Sequence, residues 1–100
     1  MVIIIPVSKD DGFQSIVVPL KDAKKWALVD LDSDNLEPTF HDDWQDTGVD
    51  FIDHVILDNH EEDALDFINE GVFCLVRREE KQIDELISAF KFREIDELVF

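Results

Sequence analysis

The sequence is poor in several residue types on which particular folds and functions depend. Cysteine occurs once, at Cys74, so no intrachain disulfide and no all-cysteine metal site can form. Lysine and arginine total 9 against 25 aspartates and glutamates, which gives a net charge of −16. Nucleic-acid backbone and anionic lipid both require clustered cations, so this balance argues against nucleic acid and membrane as partners. It is compatible with a basic protein partner and favours solubility.

Long apolar segments and catalytic signatures are also missing. No apolar run approaches membrane-spanning length, and the opening "MVIIIPVSKDD" lacks the basic start of a signal peptide, so we expect a cytoplasmic location. The sequence contains no glycine-rich phosphate loop, no nucleophile elbow and no Ser, His and Asp order. These absences favour a non-enzymatic protein.

Apolar residues make up 45% of the 100-residue chain, which is enough for the core of one compact domain over residues 1–100. β-branched runs bounded by turn residues predict strands, and apolar residues at helical spacing predict helices. The predicted strands cover residues 2–7, 26–32, 36–40, 53–58 and 72–76, with a weaker extended segment at 13–18. The predicted helices cover residues 59–71 and 79–91, with helical turns at 20–26 and a short separate helix in the tail after a break at 91–93.

From residue 53 onward the predicted elements alternate as strand, helix, strand, helix. This order implies a parallel pairing of strands joined by a crossover. The first half folds as a hairpin or meander around "VIIIPV" and "WALVDLD", and Pro38 favours an edge position for the strand at 36–40. Together these elements predict a small α/β domain with a mixed sheet of about five strands flanked by helices.

The order of elements also resembles a known family. The chain has an opening strand that ends in Ile-Pro-Val, a Gly-x-x-Ser turn at 12–15 and a Val-Asp-Leu strand at 29–31. In these features, and over most of its length, it is similar to the dinitrogenase iron–molybdenum cofactor-binding family. The resemblance implies a ribonuclease-H-like sheet and a role as a nitrogenase accessory protein that binds or carries iron–molybdenum cofactor or its precursors.

The chain departs from this family where the family carries its functional segments. Its His-Phe-Gly segment is replaced here by "PLKDAKK", and its Gly-Gly-Ile-Gly turn by "LDNHEED". The family's glycine-rich segment with a helix, ahead of the third buried strand, is shortened here to "DTGVDF". No cofactor ligand therefore carries over residue by residue, and the identity of any cofactor is unknown.

A ligand site in an open α/β sheet lies beyond the carboxyl ends of the strands, which here means the segment "DNHEED". Asn59 is predicted to be a helix N-cap, with Glu62 three residues later completing a capping box. Glu61, Glu62 and Asp63 place negative charge in the first helical turn, where it stabilises the helix and repels phosphate or molybdate. We expect capping to be the main role of this segment.

Cations form two islands in this acidic chain: Lys21 with Lys24 and Lys25, and Arg77 with Arg78 and Lys81. Either island could line a pocket for an anionic ligand, although solvated surface charge is the interpretation that we favour. The candidate cofactor-binding residues are Lys21, Lys24, Asn59, His60 and Arg77.

Three histidines lie among carboxylates in the stretch 41–63, a mixture that suits divalent zinc, iron, nickel or manganese. The candidate metal ligands are His54, Asp58 and His60, with His41, Asp42 and Asp43 as further donors. His54 and His60 are separated by a strand-to-helix junction, a spacing that does not by itself bring two imidazoles together. A metal-ion or metal-cluster carrier with altered ligands is therefore the alternative function, and a hydrolase using Asp58 with His60 ranks last.

Three apolar features each have two interpretations. Cys74 lies mid-strand, where core packing is favoured over a role as nucleophile or ligand. Trp44 either anchors the acidic loop or contacts a partner. The apolar tail either closes the core, which we favour, or forms a homodimer surface; its members are Ile95, Leu98, Val99 and Phe100. Our leading hypothesis is a non-enzymatic accessory domain that binds a protein partner or a small ligand at the strand carboxyl ends.

Overall fold

The computed structural model describes residues 1–98 of the chain. Its strands are β1 (Val2–Val7), β2 (Lys25–Asp30), β3 (Thr39–His41), β4 (His54–Leu57), β5 (Phe73–Val76) and β6 (Asp96–Glu97). Its helices are α1 (Leu65–Asn69) and α2 (Ile83–Lys91), and 3-10 turns cover Gly12–Gln14 and Leu20–Asp22. No helix in this part of the chain is long and apolar enough to cross a membrane.

The strands form one mixed sheet in the order β3-β2-β1-β4-β5-β6. β1, β4 and β5 run parallel, while β2, β3 and β6 run antiparallel to their neighbours. The predicted small α/β domain with a mixed, helix-flanked sheet is confirmed, and β3 occupies an edge as the adjacent Pro38 indicated. The sheet has one strand more than expected. The ribonuclease-H-like motif stays a prediction.

Side chains of the sheet alternate between two cores, one on each face. β1 contributes Ile3 and Ile5 to one core, where α2 adds Leu86. β1 contributes Ile4 to the other core, where α1 adds Phe67. The three isoleucines have no exposed surface. β1 is therefore buried on both faces, as its continuous β-branched run predicted.

The tail does not form the predicted short helix. Asp96–Glu97 instead form β6, which pairs antiparallel with β5 and covers part of its outer edge. Unpaired backbone groups on a strand edge attract another strand, and the helical periodicity of the tail carries no information about such a partner. Ile95 and Leu98 are half-buried against the two cores, so this part of the tail closes the core. Val99 and Phe100 lie outside the described residues.

Helix α1 is shorter than predicted, because it begins at Leu65 and Asn59 is not its N-cap. Oδ1 of Asn59 accepts a hydrogen bond from the N–H of Glu61 at 2.9 Å, which folds a local turn. The Glu62 carboxylate accepts one from the N–H of Leu20 at 2.6 Å. The predicted capping box is wrong, since these side chains bind backbone groups outside the helix.

Both helices end in a residue with a left-handed backbone conformation. After α1 this residue is Gly71, with a φ of 78°, the glycine at which the predicted helix of residues 59–71 ends. After α2 it is Arg93, with a φ of 57°. The N–H of Glu94 donates to the carbonyl of Ala89 at 2.8 Å, the hydrogen bond of a Schellman motif. The predicted helix break at 91–93 is confirmed.

Two predicted segments are less regular than expected. At 13–18 no strand forms, and the pairing there is limited to isolated bridges. The helical turns predicted at 20–26 reduce to one 3-10 turn, because β2 begins at Lys25.

Trp44 anchors the acidic loop on the body of the protein. Its ring centroid lies 4.6 Å from that of Phe67 and 6.4 Å from that of Trp26. Cys74 belongs to the same core and is 6% exposed, and burial raises the pKa of its thiol. The core interpretation of Cys74 is therefore correct, and the ring contacts of Trp44 are those of the predicted loop anchor.

Candidate functional site

The carboxyl ends of the parallel strands meet at one edge of the sheet, where the sequence predicted a ligand site. The segments after β4 and β5, together with β6, bring polar side chains to this edge. We call them the carboxyl-edge cluster: Asp58, Asn59, His60, Arg77, Arg78 and Asp96. The sequence analysis had named Asp58, Asn59, His60 and Arg77 as candidate ligands and Arg78 as a member of the second cation island, but it had not named Asp96.

Asp58 and Arg77 form the most buried pair of the cluster. Nε of Arg77 donates to Oδ1 of Asp58 at 2.9 Å. The Arg77 side chain is 24% exposed and that of Asp58 is 15% exposed. Nδ2 of Asn59 donates to Oδ2 of Asp58 at 3.2 Å. Asp58 is therefore engaged with Arg77 and Asn59 and not with His60, the partner that the hydrolase hypothesis required.

Asp96 of β6 joins two further members of the cluster. Nε of Arg78 donates to Oδ1 of Asp96 at 2.8 Å, and Nε2 of His60 lies 3.4 Å from Oδ2. The hydrogen bond from Arg78 lowers the pKa of Asp96 below its ordinary value, with a smaller contribution from His60. Sequence patterns did not find Asp96, because only the pairing of Val76 with Asp96 between β5 and β6 brings it here.

The charges of the carboxyl-edge cluster are matched in pairs. Each arginine donates to one carboxylate, Arg77 to Asp58 and Arg78 to Asp96. An anionic ligand that approached either guanidinium would also meet the repulsion of the carboxylate paired with it. A protein surface on which donors and acceptors alternate complements these ion pairs better than a small anion does, since charge complementarity at an interface fixes register and partner choice.

The lysines of the first island lie near this edge without joining the cluster. The N–H of Lys24 donates to the carbonyl of Val7 at the end of β1, at 3.0 Å. Lys21 lies in the 3-10 turn that Glu62 holds through the backbone of Leu20. Both lysine side chains are exposed, and no carboxylate of residues 1–98 forms an ion pair with either. The anionic pocket predicted from Lys21, Lys24, Asn59, His60 and Arg77 thus has its members on two neighbouring segments.

The candidate metal ligands divide between the two ends of β4. The strand begins at His54 and Asp58 follows its last residue, so roughly 13 Å of extended chain separates them. His60 lies beyond the carboxyl end, where it approaches Asp96. Within residues 1–98 no group of three or more His, Cys, Asp or Glu side chains is arranged to hold a metal ion.

The further metal donors have structural partners. Nε2 of His41 lies 2.9 Å from Oγ1 of Thr39 on the same strand. Asp42 pairs with Lys25, and the hydrogen bond from Lys25 lowers the pKa of that carboxyl. Asp43 accepts the N–H of Gln45 through Oδ1 at 3.0 Å, which closes a local turn. These contacts explain the polar residues of the loop before Trp44 as turn and surface pairs.

Comparison with known proteins supports the fold. No family model matches the sequence, and no curated protein matches it. A solved structure that it resembles is the NMR structure of a protein from Thermotoga described as a putative NifB protein of the DUF35 family. The two chains are 19% identical and superpose with a TM-score of 0.73 over 99% of this chain and 95% of that one. This likeness shows a shared fold, and the resemblance to the iron–molybdenum cofactor-binding family stays a prediction.

Proposed function

We propose that this protein is a non-enzymatic accessory domain that binds a protein partner of basic character through the carboxyl-edge cluster. The observation that carries the proposal is the convergence of donors and acceptors from separate segments at the sheet edge where α/β domains bind their ligands. The paired arginines favour a protein partner over a small anionic ligand. The net charge of −16 favours a partner of opposite sign, since long-range attraction accelerates association.

The fold likeness is consistent with an accessory role. The Thermotoga protein carries a nitrogenase-linked name, putative NifB, and the sequence of our chain independently resembles the iron–molybdenum cofactor-binding family. Both associations point toward a nitrogenase-type accessory protein, and neither identifies a ligand.

The side chains of residues 1–98 do not fit an iron–molybdenum cluster as a bound cofactor. The thiol of Cys74 is buried in the core, and burial raises its pKa, which disfavours the thiolate that binds metal. His54 and His60 lie at opposite ends of β4. The metal-carrier alternative therefore has no observation in its favour here, and metal content enters as an outcome of the test.

The partner proposal can be tested with two neutral, isosteric variants. Asp96→Asn alters the carboxyl-edge cluster, and Asp84→Asn removes the same charge from the exposed first turn of α2. Partner capture from a lysate of the source cells is measured with tag-free protein coupled to resin, at low and high salt. We expect Asp96→Asn to weaken capture and Asp84→Asn to leave it unchanged, and we expect high salt to weaken capture.

Two results would contradict the proposal. Equal effects of the two variants would show that binding does not use the cluster, and insensitivity to salt would exclude a partner held by charge. Stoichiometric iron, molybdenum or zinc in the same tag-free preparation would replace the pure interaction role with a carrier role. Loss of that metal in His54→Ala or His60→Ala would then identify the ligand.

A further inference from the structure

A second concave site lies at the opposite edge of the sheet, where the parallel strands begin. It is bounded by the end of α2 on one side and by β5 and β6 on the other. We call it the amino-edge cleft, and its lining includes His54, Phe73, Phe90, Lys91, Arg93 and Glu97. Its volume of about 630 Å³ is in the range of small-molecule sites in proteins. The accessory function proposed above does not use this site.

Aromatic rings form one wall of the amino-edge cleft. The imidazole of His54 lies 5.0 Å from the ring of Phe90 and 5.7 Å from that of Phe73, measured between centroids, with an edge-on contact to Phe73. Phe73 is 49% exposed although it belongs to a strand inside the sheet. An exposed phenylalanine beside a second ring offers a surface on which a flat apolar group can stack.

His54 contributes an unusual polar atom to this wall. Its Nδ1 is buried and has no hydrogen-bond partner among residues 1–98. Burial lowers the pKa of His54, against the attraction of the neighbouring Asp53 carboxylate, so the neutral ring is favoured. A neutral imidazole completes an aromatic lining and does not add charge to it.

The positive charge of the cleft comes from the end of α2. Lys91 and Arg93 line it, and within residues 1–98 no carboxylate forms an ion pair with either. Among residues 1–98, Glu97 is the one acidic side chain on the lining. At physiological ionic strength charges are screened over about 8 Å. Within the cleft the two cations face Glu97 and the Asp53 carboxylate beside His54, and the more distant carboxylates of this acidic protein are screened.

Arg93 occupies a position that favours glycine. Its φ of 57° is the left-handed conformation that Gly71 adopts at the end of α1. Cations near a helix C-terminus interact favourably with the helix dipole, but Lys91 already supplies one in the last turn of α2. The helix dipole alone therefore explains poorly why an arginine occupies this strained position. A guanidinium at the mouth of an apolar cleft is well placed to bind the carboxylate of a ligand.

We infer that the amino-edge cleft binds a small aromatic monocarboxylate. Its ring lies against Phe73, Phe90 and His54, and its carboxylate meets Arg93 and Lys91. The apolar wall requires an apolar body, and the planar fork of arginine matches a carboxylate in two parallel hydrogen bonds. Glu97 on the same lining disfavours ligands of higher negative charge, such as a phosphate monoester.

The test compares naphthoate with naphthamide, which has the same ring system without the charge. Binding is measured by calorimetry and by shifts of backbone amide signals. We expect naphthoate to bind in the submillimolar range and naphthamide about tenfold more weakly. Arg93→Gly, which suits the backbone conformation and preserves the fold, is expected to weaken naphthoate about five- to tenfold and to leave naphthamide unchanged. Lys81→Gln, at the opposite end of α2, is the matched control and leaves both unchanged.

Three results of the affinity measurements would overturn the inference. They are equal affinity for the acid and the amide, naphthoate binding that Arg93→Gly does not weaken, and no binding of either compound at millimolar concentration. Amide shifts confined to residues away from β4, β5 and the end of α2 would likewise place the binding elsewhere. Because no variant in this experiment touches the carboxyl-edge cluster, its failure leaves the accessory-domain proposal standing.

Discussion

Replacement of Arg93 by glycine is expected to stabilise the protein, although it deletes a long side chain. Arg93 has a φ of 57° at the end of α2, where a Cβ atom crowds the following carbonyl oxygen. A residue other than glycine in this conformation costs about 1–2 kcal/mol. The Schellman hydrogen bond of Glu94 to Ala89, at 2.8 Å, uses backbone atoms alone and survives the replacement.

The net gain is smaller than the strain released. Glycine adds conformational freedom to the unfolded chain, which lowers the free energy of unfolding by roughly 0.5–1 kcal/mol. Loss of the favourable interaction between the guanidinium and the helix dipole lowers it by about 0.3 kcal/mol more. We therefore expect the free energy of unfolding to rise by about 0.5 kcal/mol, which corresponds to about 2–4 °C in the melting temperature of a domain of this size.

Urea unfolding followed by tryptophan fluorescence measures this change. The midpoint should rise for Arg93→Gly with an unchanged dependence on denaturant concentration. Arg93→Ala removes the same charge but keeps a Cβ atom, so its midpoint should not rise. Gly71→Ala makes the reverse change at the end of α1, where φ is 78°, and should lower the midpoint by the equivalent of about 1 kcal/mol. A midpoint for Arg93→Gly at or below that of the parent would refute the reasoning.

Three further predictions concern the wall of the cleft, the cluster and the loop anchor. Because burial lowers the pKa of His54, the unfolded chain binds more protons below about pH 6.5, so the unfolding free energy should fall as pH decreases below that value. His54→Phe should remove this part of the pH dependence in urea titrations between about pH 7.5 and 5, and identical slopes would contradict the assignment. Asp58→Ala should lower the free energy of unfolding by about 1–3 kcal/mol, because it leaves the half-buried guanidinium of Arg77 unpaired. The double variant Asp58→Ala with Arg77→Met should recover part of this loss. No recovery would mean that the unpaired guanidinium is not its cause. Trp44→Ala should lower the stability measured by thermal unfolding by about 2–3 kcal/mol, because two ring contacts are lost, and Trp44→Phe should lower it much less. Unchanged stability in Trp44→Ala would favour the alternative interpretation of Trp44 as a partner contact.

Local patterns in the sequence were enough to predict the frame of the fold. The β-branched run at 2–7 became the doubly buried strand β1, and the apolar spacing within 79–91 became α2. Gly71 marked the end of α1 because the left-handed conformation it adopts is one that glycine alone takes without strain. Such features depend on residues within a few positions of each other, so they can be predicted from local sequence.

Features that join distant segments depended on the tertiary structure. The predicted capping box of Asn59 and Glu62 does not form, since the Glu62 carboxylate accepts the N–H of Leu20, far away in the chain. β6 formed because β5 presented an edge, which no helical periodicity in the tail could reveal. In both cases hydrogen bonds to a distant segment replaced the predicted local structure.

The two candidate sites divide in the same way between sequence and structure. Residue types and strand order alone determined that polar side chains, including Asp58 and Arg77, gather beyond the ends of β4 and β5. Only the tertiary structure decided that each arginine there is paired with a carboxylate, and that His54 meets Phe90 and Arg93 in a cleft at the opposite edge. The physical reason is that the ion pairs and the shape of the cleft depend on distances between atoms far apart in the sequence. The register of the sheet and the packing of α2 determine these distances.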